Sequence, residues 1–270
     1  MSRVFALPAQ FRSHRTLIHQ LIRREVVARY RGSALGILWS MITPLFMLAT
    51  FTFVFGTIFQ TRWTTSGATA SIGEFAIIIF VGLIVFQLFS EVVNRAPTLV
   101  LSNPNYVKKV VFPLEILPVV ALGSALFHTA VSLLVLCFFM LAFAGHVPLT
   151  LPFLPVVLAP LLLVILGLSW FLSSLGVYFR DISQVLGTLL TALMFLSPIF
   201  FPSSALPDWV KPWLILNPLS LPIEQARDVL IWGKAPDFLA LAIYTLPALA
   251  VAAGGLWWFQ KTRKGFADVL

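Results

Sequence analysis

Six stretches of the chain are continuously apolar, and charged residues fall mostly in the segments between them. In the first stretch, no charged residue occurs after Arg31 until Arg62. About 20 apolar residues, at about 1.5 Å each, cross a hydrocarbon core about 30 Å thick. Backbone inside lipid must also pair its own polar groups, which a helix does. The pattern predicts six transmembrane helices, over residues 34–59, 75–93, 114–144, 153–178, 184–201 and 238–259.

Composition agrees with this membrane assignment. Of the 270 residues 59% are apolar and 10% are charged, whereas a soluble domain is about 25% charged. We therefore expect an all-α integral membrane protein with one domain, residues 1–270. Its membrane part spans residues 34–260, between a cytoplasmic region at 1–33 and a cytoplasmic tail at 261–270.

The basic residues predict the orientation of the spans. Six spans place both ends of the chain on one side, and that side receives fourteen of the 18 Lys and Arg residues. Because basic residues are enriched in cytoplasmic loops, both ends are predicted to be cytoplasmic. The net charge of +8 is thus explained by membrane orientation, and no nucleic-acid partner is expected.

Residues 14–30 form a predicted amphipathic helix lying along the cytoplasmic leaflet. Its apolar face comprises Leu17, Ile18, Leu21, Ile22 and Val26. Glu25 and Arg29 interrupt this face and are spaced to pair with each other. Part of the face is therefore expected to contact protein. The alternative is a segment that only orients the first span.

Residues 202–236 are too apolar for an aqueous loop and are interrupted by several prolines. Irregular backbone at membrane depth is tolerated where protein or a water-filled cavity satisfies it. We therefore predict two short re-entrant helices at the outer face, between spans five and six. A folded cap with no gating role is the alternative.

Catalytic and metal-binding motifs are missing from the sequence. It has no glycine-rich phosphate loop of the G-x-x-x-x-G-K-[ST] type, so any ATP and Mg²⁺ would be bound by another chain. The single cysteine, Cys137, excludes an internal disulfide and a multi-cysteine metal site.

His128 lies mid-span and is interpreted as a cross-helix hydrogen-bonding residue. A substrate contact or a proton relay is less favoured, because no intramembrane Asp or Glu is close to it in sequence to complete a relay.

The cargo class and helix packing have weaker signals. Deep charges are nearly absent, which argues against ion transport. Phe51, Phe55 and Phe59 share one helix face and could stack on sugar rings, although lipid contact or helix packing is the commoner role of Phe. Gly32 and Gly36 have the small-xxx-small spacing of close helix packing.

The cytoplasmic segment 95–113 contains a predicted turn at Asn103 and Asn105, on either side of a proline. Tyr106, Lys108 and Lys109 follow this turn. The segment could be held by a partner protein, or its lysines could meet anionic lipid headgroups.

Five segments together resemble the membrane subunit of type 2 ABC exporters, in particular the polysaccharide-export permeases of O-antigen and teichoic acid systems. They are RYRGSALGILWSMITPL, NPNYVKKVVFPLEILPV, FRDISQVL, LSPIFFP and LNPLSLPIEQARDVL, at residues 29–45, 103–119, 179–186, 196–202 and 216–230.

This resemblance implies a homodimer in the bacterial inner membrane, with two copies of a separate ABC ATPase. The expected cargo is a polyprenyl-diphosphate-linked glycan, passed between the two protomers. Each implied role has its residues. ATPase coupling is expected at Asn103, Asn105, Tyr106, Lys108 and Lys109; attraction of the lipid diphosphate at Arg29 and Arg31; channel aromatics at Phe51, Phe55 and Phe59; and the outer gate at Pro202, Trp209, Trp213, Glu224 and Arg227.

Two other functions share parts of this pattern. A type 2 ABC permease for a drug or another lipid would have the same topology. A membrane-embedded enzyme acting on polyprenyl carriers would need acid, base or nucleophilic groups converging at one leaflet, and the sequence has no such cluster.

Overall fold

The computed structural model describes residues 14–58, 64–65, 68–69, 72–108, 112–143 and 145–269. Apart from a short antiparallel pairing of Thr64–Thr65 with Ala68–Thr69, the regular structure of this part is helical. The α-helices are α1 Arg15–Tyr30, α2 Trp39–Phe51, α3 Ile72–Arg95, α4 Thr98–Leu101, α5 Pro104–Lys108, α6 Ile116–Phe143, α7 Leu154–Tyr178, α8 Ile182–Leu196, α9 Lys211–Leu214, α10 Ser220–Leu230, α11 Phe238–Thr262 and α12 Phe266–Val269.

Within the described ranges, five helical segments are long and apolar enough to cross a membrane. They are Gly36–Val54, Gly73–Arg95, Ile116–Ala142, Leu151–Tyr178 and Phe238–Val269. They correspond to the predicted spans one, two, three, four and six. The all-helical, multi-span class is therefore confirmed.

The fifth predicted span is shorter than expected. Helix α8 has 15 residues, or about 22 Å at 1.5 Å per residue, and it does not reach residue 201. It ends because Ser197 is extended and the following Pro198 disfavours a helical conformation at the residue before it. A sixth full span is thus not established by helix length.

The second span forms the centre of the bundle. Its helix α3 contacts α2, α6, α7, α8 and α10, and Val81 and Val92 are completely buried. A helix that is apolar on every side is expected in such a central position. The first span differs, since Ile37, Phe46 and Phe53 are exposed on its surface.

Helix α1 packs against the third span, with Leu21 and Val26 buried. The prediction that part of its face meets protein is confirmed. The predicted pairing of Glu25 with Arg29 is wrong, because both residues contact the second span instead. Glu25 pairs with Arg95 at 2.7 Å, and Arg29 pairs with Glu91.

Gly32 and Gly36 do not mediate close helix packing. Both have positive φ, 85° and 51°, and among the described residues a Cβ at either would have no neighbour within 4 Å. They shape the turn between α1 and the first span, a backbone region that glycine enters without steric cost.

Candidate functional site

A polar cluster joins helix α1 to the second and third spans. Glu91 accepts a hydrogen bond from His128 Nδ1 at 2.8 Å and a second from Arg29, both through Oε1. Arg29 Nη1 also lies 3.0 Å from His128 Nδ1. Only 5% of the Glu91 side chain is exposed, so these partners offset the cost of removing a carboxylate from water.

This cluster confirms the predicted hydrogen-bonding role of His128 and includes Glu91, which the sequence did not identify as its partner. His128 does hydrogen-bond across helices, as its position in the sequence suggested. Glu91 was missed as its partner because it lies 37 residues away in the chain. The one signal available was that Glu91 is an acidic residue near the end of an apolar span, where burial requires a partner.

The cluster forms the polar wall of a cavity of about 350 Å³ between α1 and the first three spans. The apolar lining of this cavity includes Met47, Phe80, Leu83 and Ile84. Tyr30 also lines this cavity, with its ring 6.0 Å from that of His128 and perpendicular to it. Burial raises the pKa of the Tyr30 phenol, and the nearby Arg29 charge opposes this shift. The cavity therefore offers polar and apolar surfaces to the same ligand.

A second cavity, of about 360 Å³, lies between the second span and α8. It shares Arg29, Gln87 and Glu91 with the first cavity, and Gly187 and Thr191 of α8 line its other side. The carboxylate of Glu91 thus stands at the boundary of two cavities. Such convergent polar groups beside apolar walls are typical of ligand sites.

The segment predicted to be cytoplasmic contains two short helices, α4 and α5. Asn103 donates to the backbone oxygen of Leu99 at 2.9 Å, and the Tyr106 hydroxyl accepts from Arg24 at 2.9 Å. Asn105 and Lys108 are exposed, and Lys109 lies outside the described residues. Of the predicted coupling residues, two therefore hold the segment in place and two face outward.

The predicted aromatic face is only partly described. Phe51 is half-buried and lies 5.3 Å from the ring of Phe200, whose ring is also 5.7 Å from that of Phe195 on α8. The side chain of Phe55 and all of Phe59 lie outside the described residues. The sequence pattern did not identify Phe195 and Phe200, because their contact with Phe51 depends on how α8 packs.

The predicted outer-gate residues fall into two groups. Arg227 on α10 is buried and donates to the backbone oxygens of Ile78, Pro198 and Ile199, at 3.2, 2.6 and 2.7 Å. Burial lowers the pKa of Arg227 to about 10, and the Glu224 charge opposes the shift, so the guanidinium remains charged at neutral pH.

The other predicted gate residues are less buried. Trp209 and Trp213 are 75% and 64% exposed, while Pro202 and Glu224 are half-buried. The predicted outer segment therefore combines a largely buried helix, α10, with exposed tryptophans at and before α9.

Comparison with known proteins gives the family of this helical bundle. Residues 16–231 match the family described as ABC-2 type transporter, which covers most of the chain. The chain belongs to this family of membrane proteins, whose permeases normally work with an ABC ATPase partner.

Similar proteins cover nearly the full length of the chain. An O-antigen export system permease protein from Myxococcus xanthus is 27% identical over 260 residues, or 94% of this chain and 95% of the relative. One from Klebsiella pneumoniae is 23% identical over 256 residues, with the same coverage. A polysialic acid transport protein from Escherichia coli is 28% identical over 249 residues, or 89% of this chain and 92% of the relative.

Proposed function

We propose that this chain is the permease subunit of an ATP-driven exporter that moves a polyprenyl-diphosphate-linked polysaccharide out of the cytoplasm. The observation that carries the proposal is the nearly full-length similarity to permeases named for O-antigen export and to a transport protein for polysialic acid. The cavities beside Glu91 support it, since they present polar and apolar surfaces at the basic end of the bundle.

The proposed architecture is a single membrane domain with six spans in the bacterial inner membrane. Helix α8 serves as the short fifth span, α1 lies along the cytoplasmic leaflet, and α9 and α10 dip into the outer face. Cysteine labelling of an Asp268→Cys variant and an Asp208→Cys variant, each in a Cys137→Ala background, tests the orientation. Both positions are exposed, and we expect each to be labelled from only one side, 268 from the cytoplasm and 208 from outside.

The proposed assembly is a homodimer with two ATPase subunits that bind ATP and Mg²⁺. The exposed surface of the first span meets either the second protomer or lipid. On the cytoplasmic side, α4, α5 and Lys109 contact the ATPase, and α1 flanks it. Binding of ATP brings the ATPase subunits together, and these helices transmit the movement to the bundle.

Attraction of the carrier diphosphate begins at the cytoplasmic mouth. Because the charge of Arg29 is shared with Glu91, the exposed Arg31 and Lys108 carry most of the long-range attraction. The glycan then passes an aromatic wall that includes Phe51, Phe55 and Phe59, and it leaves past the segment containing Trp209 and Trp213. Aromatic rings can stack on sugars without selecting one order of sugars, which suits a polymer that slides through the channel.

Coexpression of the chain with its ATPase in a strain that makes the glycan but lacks its own permease tests this function. Glycan should reach the cell surface, and the double change Lys108→Glu with Lys109→Glu should reduce export. Lys234→Glu is the matched control, because Lys234 is exposed on the predicted outer side. Stimulation of the ATPase by a drug or another lipid, but not by glycan, would reject the proposal in favour of a different cargo.

A further inference from the structure

Arg263, directly after helix α11, contacts the start of the third span. It lies in the short 3₁₀ turn Arg263–Gly265, and its Nη1 donates to both carboxylate oxygens of Glu115, at 2.8 and 3.0 Å. Its Nη2 donates to the backbone oxygen of Phe112 at 3.2 Å. The Glu115 side chain is only 8% exposed. Its carboxylate is therefore largely removed from water, unlike that of an ion pair on the protein surface.

The contact continues into the cytoplasmic helix α5. The ring of Phe112 stacks on that of Tyr106, with centroids 4.4 Å apart and planes 13° from parallel. Tyr106 in turn accepts a hydrogen bond from Arg24 of α1. One unbroken series of contacts therefore runs from α1, through α5, to the 3₁₀ turn that follows α11.

The tail after α11 packs against the neighbouring helices. Phe266 is completely buried, and its ring lies 5.4 Å from that of Phe259 and 6.1 Å from that of Tyr178. The Tyr178 hydroxyl donates to the backbone oxygen of Thr262 at 3.0 Å. Helix α12 also contacts α5, so the tail forms part of the surface against which α5 packs.

Helix α5 depends on these packing contacts to remain ordered. It has five residues, and a helix of this length is not stable alone in water. If α5 were mobile, a displacement imposed on it by a partner protein would not be transmitted to the third span. Hydrogen bonds between Arg and a carboxylate are charge-assisted and roughly twice as strong as those between neutral groups. Arg263 uses its second nitrogen, Nη2, on Phe112, so the one guanidinium holds both Glu115 and the segment beside α5.

We infer that Arg263 is a positioning residue for energy coupling: with Glu115 and Phe112 it holds α5 in the orientation that transmits ATPase movement to the third span. This inference rests on the proposed function, in which α5 contacts the ATPase. It gives the tail at 261–270 a role in coupling, a role that the sequence did not suggest.

The test uses the complete permease–ATPase complex in proteoliposomes. Export per ATP hydrolysed is measured for wild type, Arg263→Met and Lys264→Met; the last is a matched control, because Lys264 is the exposed neighbour. We expect a several-fold fall in this ratio for Arg263→Met, with ATP hydrolysis retained, and no change for Lys264→Met. The charge reversal Arg263→Glu with Glu115→Arg should restore part of the ratio, because the two residues act as a pair.

A distance measurement keeps the inference testable apart from transport. Spin labels at Asn105→Cys and Asp268→Cys, both exposed positions, should give a narrow distance distribution that broadens in Arg263→Met. An unchanged distribution, or an unchanged export ratio in a folded variant, would overturn the role of Arg263. Absence of export by the wild-type complex would instead reject the proposed function.

Discussion

Gly167 and Gly255 bring the backbones of the fourth and last spans into direct contact. A Cβ on Gly255 would lie 2.0 Å from the backbone oxygen of Gly167, and a Cβ on Gly167 would lie 2.4 Å from that of Val251. These two spans form the most extensive helix pair in the described structure. Close approach through small residues lets two membrane helices gain packing contacts that lipid cannot supply.

Replacing Gly255 by alanine should therefore destabilise the protein. The added methyl group would force the helices apart, at the usual overpacking cost of about 1–3 kcal/mol or more. Gly254→Ala is the matched control, because a Cβ at Gly254 meets no atom of the described part of the chain within 4 Å and alanine favours the helix by about 1 kcal/mol. Thermal unfolding in detergent should give a lower midpoint for Gly255→Ala only; equal midpoints would contradict this packing.

Docking of α1 on the third span depends on Ile22 and Gly123. A Cβ on Gly123 would lie 2.3 Å from Ile22 Cδ1 and 2.8 Å from Ile22 Cγ1. Gly123→Ala should loosen α1 and make it more accessible to protease. Adding Ile22→Ala should reverse part of the effect, since contacting residues are coupled. If the double variant were no better protected than Gly123→Ala, the contact would not be the cause.

Arg227 should be important for the stability of the outer segment. Each hydrogen bond from a charged group contributes about 1.5–3 kcal/mol, so Arg227→Met should cost on the order of 3 kcal/mol or more, leaving three carbonyl groups without this donor. Arg227→Lys should be intermediate, because one ammonium group cannot reach all three in the same geometry.

The control for Arg227 is Lys211→Met. Lys211 forms an exposed pair with Asp208 at 2.6 Å, and such pairs contribute about 0–1 kcal/mol. Denaturation followed by tryptophan fluorescence should therefore separate the two variants. A similar loss for both would show that the carbonyl contacts of Arg227 are not stabilising.

Glu91 should be sensitive to loss of its acceptor oxygens. Glu91→Leu leaves Arg29 and His128 without their shared partner, and a cost of about 1–3 kcal/mol is expected for unpaired buried groups. Glu91→Gln, which keeps an acceptor, should cost less. Glu74→Gln, at the exposed start of the same helix, should change the unfolding midpoint little. An order in which Gln is worse than Leu would contradict the hydrogen-bonding role.

Much of the helical architecture could be predicted from residue order. Four of the five long spans have bounds close to those of the apolar runs, because lipid requires a helix wherever such a run crosses it. The exception among these five is the last span, which continues to Val269 although its predicted end was residue 259. Helix α8 is not one of the five, because one local signal, Pro198, ends it before the apolar run does. The face of α1 was also predictable from its helical periodicity.

The candidate site was less predictable. Arg29 could be recognised as a basic residue near the membrane, but its partner Glu91 lies 62 residues away. Similarly, Arg263 and Glu115 are separated by 148 residues. Gly32 and Gly36 had the spacing of a packing motif, yet the contact between glycines formed elsewhere, at Gly167 and Gly255.

The amino-acid sequence by itself determined that this chain crosses a membrane several times as helices, and it predicted which segments face the cytoplasm. The spans follow from residues acting locally on their solvent, because apolar runs partition into lipid. The predicted orientation rests on the same kind of local effect, the preference of basic residues for the cytoplasmic side. Only the tertiary structure decided which charges meet and which helices touch. A buried polar group accepts any partner with suitable geometry, and that geometry is set by helix packing between segments distant in the chain.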